Sequence, residues 1–403
     1  MLAPRICCLD LDTFFVSVER LLDPSLQGKP VVVGGHKGGR GVVTSASYEV
    51  RAYGVRSGMS IREATALAPH AIFVPGHHDE YSRYSTGARE IVERYSPIVI
   101  AASIDEQYID FRGCELLYRR PGDADDDATI LRVVREITAT IDAELSLPAS
   151  AGIATSKPMA KVASGLAKPR GVLLIAAGTE QETLAPLPVR KLPGIGPVSE
   201  EKLHRLGVQT LGQLVVFPEQ PLRRIFGAYT SGIRRAAGGV GSDELGRERP
   251  AFQEHDPRGQ RVGSISNERT FAEASREGTA AILSGLCERV CSRARKRGVL
   301  AGRVTLKLRY TDFHTITRSR TISPTSVDVE VHRVVLELYR KARDRPLPIR
   351  LLGVALSKLR LEESQLGLFD VGTRRGIAVD RVRDKFGYDA VHLATTLGRR
   401  RRR

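Results

Sequence analysis

At 403 residues the chain is too long for one core and implies two to four domains. Its 41% apolar content is that of a globular protein, and no run approaches the roughly 18 uninterrupted apolar residues of a membrane span. Asp10 and Asp12 interrupt the stretch where a secretory leader would need its apolar core, and five cysteines (Cys7, Cys8, Cys114, Cys287, Cys291) lack metal-site spacing. These read as packing thiols of a cytoplasmic protein.

The net charge of +16 is unevenly placed. Residues 259–362 carry +11 and residues 371–403 carry +7, leaving the first 258 residues near zero. A basic C-terminal half on a neutral N-terminal half is the footprint of a polyanionic partner. The Arg399–Arg403 run reads equally well as a solvated end.

In chain order, residues 5–9 form a short apolar run that delivers Asp10 to the end of a buried strand. A helix opens at Thr13–Glu19, with Asp12 or Thr13 as its cap. Strands are expected over 30–35 and 41–45, followed by a helix on which Tyr48 and Arg51, three apart, share a face. His77-His78 falls in a polar loop and is given no role. Residues 98–104 and 107–111 read as two arms of a hairpin with Asp105-Glu106 near its tip. There the alternation of a regular strand breaks, so both carboxylates can face one cavity.

If that hairpin lies beside the first strand, Asp10, Asp105 and Glu106 converge. Three carboxylates cannot sit together ionised without a counter-charge. Hard oxygen donors with no His or Cys select Mg²⁺ or Mn²⁺. Asp105-Glu106 alone could be an acidic surface turn; the matching first strand argues against it. Asp110 reads as structural.

Strands and helices alternate to about residue 176, the last strand being Gly171–Ile175. Leu192-Pro193-Gly194-Ile195-Gly196-Pro197, with the later Leu206-Gly207-Val208-Gln209-Thr210, reads as a helix-hairpin-helix. Gly194 and Gly196 permit the turn and leave backbone N–H groups free to meet a phosphate at the helix start. Residues 241–258 look like a linker. Beyond it the order strand, helix (276–297), strand (303–310), strand (315–322), helix (327–344), strand (351–361) makes a β-α-β-β-α-β module. In 303–310 apolar Val304, Leu306, Leu308 and Tyr310 alternate with Arg303, Thr305, Lys307 and Arg309, so one face is basic. Arg318 and Arg320 share a face of the next strand. A sheet with a basic, solvent-facing side suits a nucleic-acid backbone.

These parts in this order resemble the Y-family translesion DNA polymerases, in the bacterial polymerase IV branch, over residues 5–370. The resemblance implies a multidomain α/β (α+β) right-hand polymerase. Its parts would be a ferredoxin-like palm (1–19 and 78–170), small fingers (20–77), a helix-hairpin-helix thumb (171–240) and a little finger (259–362). It implies low-fidelity, template-directed transfer of a nucleotide from a dNTP to a primer 3′-hydroxyl by a monomer working on the nucleoid. By the same resemblance Asp10 and Asp105 bridge two Mg²⁺ ions (Mn²⁺ can substitute), and Glu106 helps hold the metal that activates the primer. The Leu11 carbonyl is a main-chain ligand.

Tyr48, Arg51, Lys168 (in Ala167-Lys168-Pro169-Arg170-Gly171) and Ser45 would contact the incoming triphosphate. Phe15 would be the steric gate beneath the sugar; its plain alternative is a core aromatic like Phe14. Gln365-Leu366-Gly367-Leu368-Phe369 is similar to the peptide by which bacterial polymerases bind the sliding clamp, although here 34 residues follow it. Two other functions fit these residues less well. A catalytically silent DNA- and clamp-binding relative would be expected to lose the carboxylates, and a nucleotide cyclase would have no use for the helix-hairpin-helix, the basic sheet or the clamp-like peptide.

Overall fold

The structure, a computed structural model, describes residues 4–245, 263–275, 278–361 and 371–396. The chain divides into two units, Met1–Arg249 and Pro250–Arg403.

In the first unit, Ile6–Leu11 (β1) is a buried strand whose successive side chains serve two different cores. Cys7, Leu9 and Leu11 face one cluster; Ile6 and Cys8 face the other. The chain continues through helix Phe14–Leu22 (α1), strands Val31–Val33 (β2) and Ser45–Ala46 (β3), helices Tyr48–Arg51 (α2) and Ile61–Leu67 (α3), and strand Ile72–Val74 (β4). Strands β3-β2-β4 form a small three-stranded sheet. Helix His78–Glu93 (α4), strands Val99–Ala101 (β5) and Glu106–Asp110 (β6), and helices Glu115–Tyr118 (α5) and Asp126–Leu145 (α6) follow. Strand Ala149–Ala154 (β7), helix Lys157–Ala167 (α7) and strand Val172–Leu174 (β8) complete a five-stranded sheet of order β5-β6-β1-β7-β8.

Helices α4 and α6 cover one face of this sheet through Ile91, Val92, Ile130, Val134 and Ile137. Helix α7 covers the other through Met159, Ala160 and Ala163. Each fully buried Ile, Val or Met side chain among these contributes about 1.5–3 kcal/mol. The approach of α7 is fixed by Gly152 in β7: a Cβ there would lie 2.0 Å from the Ser164 nitrogen and 2.3 Å from the Ala160 oxygen. Only glycine admits that spacing.

The rest of the unit is helical: Glu180–Leu184 (α8), Pro197–Arg205 (α9), Leu211–Val216 (α10), Glu219–Phe226 (α11) and Thr230–Ala237 (α12). Gly194 takes φ +95°, the left-handed turn expected of it, and Gly196 caps α9. What precedes this turn is only a single 3-10 turn, Val189–Lys191. Thr210 and Gln213 close a capping box on α10.

In the second unit, strand Ser264–Ser275 (β9), helix Thr279–Lys296 (α13), strands Val299–Tyr310 (β10) and Thr315–Thr325 (β11), helix Asp328–Ala342 (α14) and strand Ile349–Leu361 (β12) realise the expected β-α-β-β-α-β order. The sheet runs β11-β10-β12-β9. Val304, Leu306, Leu308 and Tyr310 are fully buried against α13 and α14, as their alternation requires.

The structure bears on four expectations. β8, at the start of the expected thumb, is an edge strand of the five-stranded sheet. The first residues of the expected linker are tied down: Lys157 N–H donates to the Ser242 carbonyl at 3.0 Å, and Leu245 joins the α7 core. Residues 246–258 lie outside the described residues.

Arg318 and Arg320 do not extend the basic face. They pair in register with Leu306 and Val304, which places them on the helix side, and Arg320 bonds Glu337 of α14 at 2.6 Å. Finally, the basic tail of residues 371–403, where the spacing of Val379, Val382 and Phe386 predicts a short helix, does hold one, longer than expected. Val371–Phe386 is a helix (α15) packed on α13, where Arg295 is buried between Asp328 and Asp380, and Arg383 pairs with buried Glu288.

Candidate functional site

Asp10 and Glu106 are direct cross-strand partners in the β1–β6 register, and Asp10 shares the parity of Ile6 and Cys8. Both carboxylates therefore stand on the face that α7 covers. Asp105 is one residue earlier, in the turn closed by Ala102 and Ser103 N–H bonds to the Glu106 carbonyl. Leu11 N–H donates to the Asp105 carbonyl at 2.9 Å. Since N–H and C=O of a strand residue point the same way, the Leu11 carbonyl is turned toward this turn as well.

The three carboxylates are near one another but separately occupied. Lys168 Nζ bonds Asp10, Lys161 Nζ bonds Glu106, and the Ser103 hydroxyl bonds Asp105. Among the described residues no three Asp, Glu, His or Cys side chains close on one point. Burial pushes the Asp10 pKa up, Lys168 pulls it back, and Asp105 adds to the rise. Burial also pushes the neighbouring Cys8 thiol up to about 12, which keeps it protonated and inert.

Lys161 was not anticipated from sequence. It lies on α7 seven residues before Lys168, which follows the last helical residue, Ala167, in extended backbone, and the two ammonium groups reach Glu106 and Asp10. That spacing was the available signal.

Asp12 is also more than a cap. Thr13 takes the cap position of α1 with φ 44°, while Asp12, 1% exposed, accepts from Ser150 Oγ at 2.7 Å and from the Arg170 amide at 2.8 Å. Tyr48 OH approaches the same carboxylate at 3.4 Å, and Lys168 Nζ lies 3.6 Å away. Asp12 thereby ties the α7–β8 turn and the Tyr48 helix to the end of β1. Asp110 accepts from the Arg112 amide at 2.9 Å, a structural role as expected.

On α2, the Arg51 guanidinium lies 4.9 Å over the Tyr48 ring, with Nε bonded to the Ala46 carbonyl at 3.0 Å. Burial, then Asp12, pushes the Tyr48 phenol up to about 12, so it remains a donor. Ser45 is buried in β3, opposite Val33.

Phe15, half-buried, stacks on Tyr81 at 4.1 Å and 10°. His77 has the partner the sequence did not reveal: its Nδ1 lies 3.0 Å from both Glu19 oxygens. Lys307 reaches Glu268 at 2.9 Å across Gly353, and Arg309 Nε bonds Thr315 Oγ1 at 2.8 Å. The clamp-like residues Gln365, Leu366, Leu368 and Phe369 lie outside the described residues.

Paired strand-end carboxylates beside two ammonium groups and an Arg–Tyr helix have the charge arrangement that phosphoryl-transfer chemistry requires. Comparison with known proteins addresses the chain as a whole. Residues 9–165 match the impB/mucB/samB family, 178–208 its helix-hairpin-helix motif and 262–368 its C-terminal domain. The chain is 38% identical over 399 residues to DNA polymerase IV of Dehalococcoides mccartyi (strain ATCC BAA-2266 / KCTC 15142 / 195), covering 97% of each. It is 36% identical to DNA polymerase IV 2 of Mesorhizobium japonicum, covering 96% of this chain and 92% of the relative.

In fold it is similar to a Y-family DNA polymerase chimera of Dbh and Dpo4, with TM-score 0.75 at 24% identity, covering 89% of this chain and 99% of the other. The chain belongs to the impB/mucB/samB family of Y-family DNA polymerases, in the DNA polymerase IV branch. It is a DNA-directed DNA polymerase of the translesion class, and membership carries a general dependence on divalent metal.

Proposed function

We propose that Asp10, Asp105 and Glu106 are the catalytic carboxylates and that the α7 face of β1 and β6 is where primer and incoming dNTP meet. The observation that carries this is the cross-strand pair Asp10–Glu106, each partner already holding an ammonium group. Positions that gather cations while offering only hard oxygens suit a divalent ion. With the Asp105 carboxylate and the Leu11 carbonyl they would hold two Mg²⁺ ions, Mn²⁺ substituting. When bound, these ions would supply charge neutralisation at the transferring phosphoryl group and activation of the primer 3′-hydroxyl.

The chain's own residues position the nucleotide. Lys168 exchanges Asp10 for the triphosphate and meets it as a point charge; Arg51 meets it through paired N–H groups, aligned by the Tyr48 ring. Tyr48 and Ser45 add hydroxyl contacts. Phe15 lies beneath the sugar and rejects a 2′-hydroxyl.

The palm comprises β1, α1, α4–α7 and β5–β8; the fingers comprise the β3-β2-β4 sheet with α2 and α3; the thumb begins after β8 with α8. Template and primer backbones run past Gly194 and Gly196 and over the open sheet face bearing Arg303, Lys307 and Arg309. The sliding clamp binds Gln365–Phe369, and the protein acts as a monomer on the bacterial nucleoid.

Primer extension tests the assignment. Asp105→Ala should lower the rate by several orders of magnitude with DNA affinity nearly intact. Extension at near wild-type rate would refute it.

A further inference from the structure

Among the buried charges that the reaction does not use, one lies beside the proposed sugar site. Glu19 is 3% exposed in α1, four residues beyond Phe15 and on the same helix face. Its carboxylate is filled: the Tyr81 hydroxyl donates to Oε1, the His77 amide donates at 3.3 Å, and His77 Nδ1 sits 3.0 Å from both oxygens. A buried carboxylate persists only when its lone pairs are satisfied in this way.

What those bonds hold is a ring. Tyr81 is fully buried, and its ring lies flat against Phe15, centroids 4.1 Å apart. His78 closes edge-on to both rings, at 5.9 Å from Phe15 and 5.5 Å from Tyr81. Phe15 thus has Tyr81 against one side and solvent on another. Burial and the Glu19 bond both raise the Tyr81 pKa, so the phenol remains a donor to the carboxylate.

We propose that Glu19 is a positioning residue for sugar discrimination: by fixing the Tyr81 hydroxyl it fixes the plane on which Phe15 rests. This rests on the assignment of Phe15 to the sugar. A steric filter for one hydroxyl works over about an ångström, and a misplacement of that size at a reacting centre can cost 100-fold. Without the Glu19–Tyr81 bond the Tyr81 ring slides or tilts, and Phe15 follows it away from C2′. Deoxynucleotides, which make no clash, are indifferent to the shift.

The test is single-nucleotide incorporation, comparing kcat/KM for a deoxynucleotide and its ribonucleotide in the full-length chain. Tyr81→Phe keeps the ring and removes the hydroxyl; Glu19→Gln keeps the shape and weakens the acceptor. Each should lower discrimination about tenfold while leaving deoxynucleotide kcat/KM within about threefold. Tyr81→Leu, which removes the stacking plane, should approach Phe15→Ala. Phe15→Ala combined with Tyr81→Phe should discriminate no worse than Phe15→Ala alone, because the second change acts through the first.

Equal losses for both nucleotides in Tyr81→Phe and Glu19→Gln would mean a structural role and overturn the proposal. So would unchanged discrimination in both, with Phe15→Ala impaired. If Phe15→Ala itself leaves discrimination unchanged, the gate assignment fails and this inference with it.

Discussion

Removing Arg295 should unfold the second unit at markedly lower temperature. Its side chain is 3% exposed, and among the described residues it is the only cation paired with both Asp328 and Asp380, Arg383 reaching Asp380 alone at 3.6 Å. Nε and Nη2 bond Asp380 at 2.7 and 3.2 Å; Nη1 bonds Asp328 at 2.9 Å and the Ser326 carbonyl at 2.7 Å. Burial alone would lower its pKa, but the two carboxylates more than offset this and raise it. Arg295→Ala leaves two largely buried carboxylates facing one hole.

Breaking a buried pair from one side costs about 3–5 kcal/mol. For a unit of the size of Pro250–Arg403, each kcal/mol moves the melting temperature by about 2–4 °C, so the fall should be about 6–20 °C. Calorimetry of the full chain reads this directly. A chain ending at Asp370 should fall at least as far, since it loses Asp380 and Arg383 and uncovers Glu288. If both variants keep the wild-type transition, α15 is not part of the core and the reasoning fails.

Three further outcomes are expected. Lys161→Ala removes the ammonium that competes for Glu106, so Mg²⁺ should raise the melting temperature of this variant more than that of the wild type; equal rises would refute the competition. Arg309→Ala should flatten the log–log salt dependence of DNA binding by about 0.9, Lys307→Ala by less, because Glu268 already offsets its charge, and Arg320→Ala not at all. A full contribution from Arg320 would contradict the face assignment. Leu368→Ala with Phe369→Ala should abolish clamp-stimulated synthesis with distributive extension retained, and loss of basal activity would instead make the peptide part of the core.

Where the sequence carried its information locally, it could be read. The run Ile6–Leu11 and the turn at Asp105 announce themselves because a buried strand ending in carboxylates is costly without a purpose. The second unit's element order followed from periodicity alone. The error at Arg318 and Arg320 was avoidable: they have the parity of Ile316 and Ile322, which already marks the helix side. Other contacts had no local trace. Glu19 and Tyr81 are 62 positions apart, and Arg295 and Asp380 are 85 apart. No periodicity links such pairs; only the packed helices do. The helix of α15 is legible in the spacing of Val379, Val382 and Phe386, but its docking through charge is not, since Arg383 and Asp380 read as solvent-facing until they are seen buried.

Because α15 packs on α13, the clamp-like peptide stands in the sequence between two folded elements, β12 and α15. Three residues separate it from Leu361, the end of β12, and one separates it from Val371, the start of α15, where Gly372 packs on Val327. At about 3.3–3.6 Å per residue, those leashes reach only on the order of 5–15 Å. A clamp gripping Leu366–Phe369 would therefore hold the second unit close, and two leashes resist swivelling where one free end would permit it. Such a polymerase would be held in a narrow range of orientations on the clamp, and its exchange with another polymerase would require letting go rather than swinging aside.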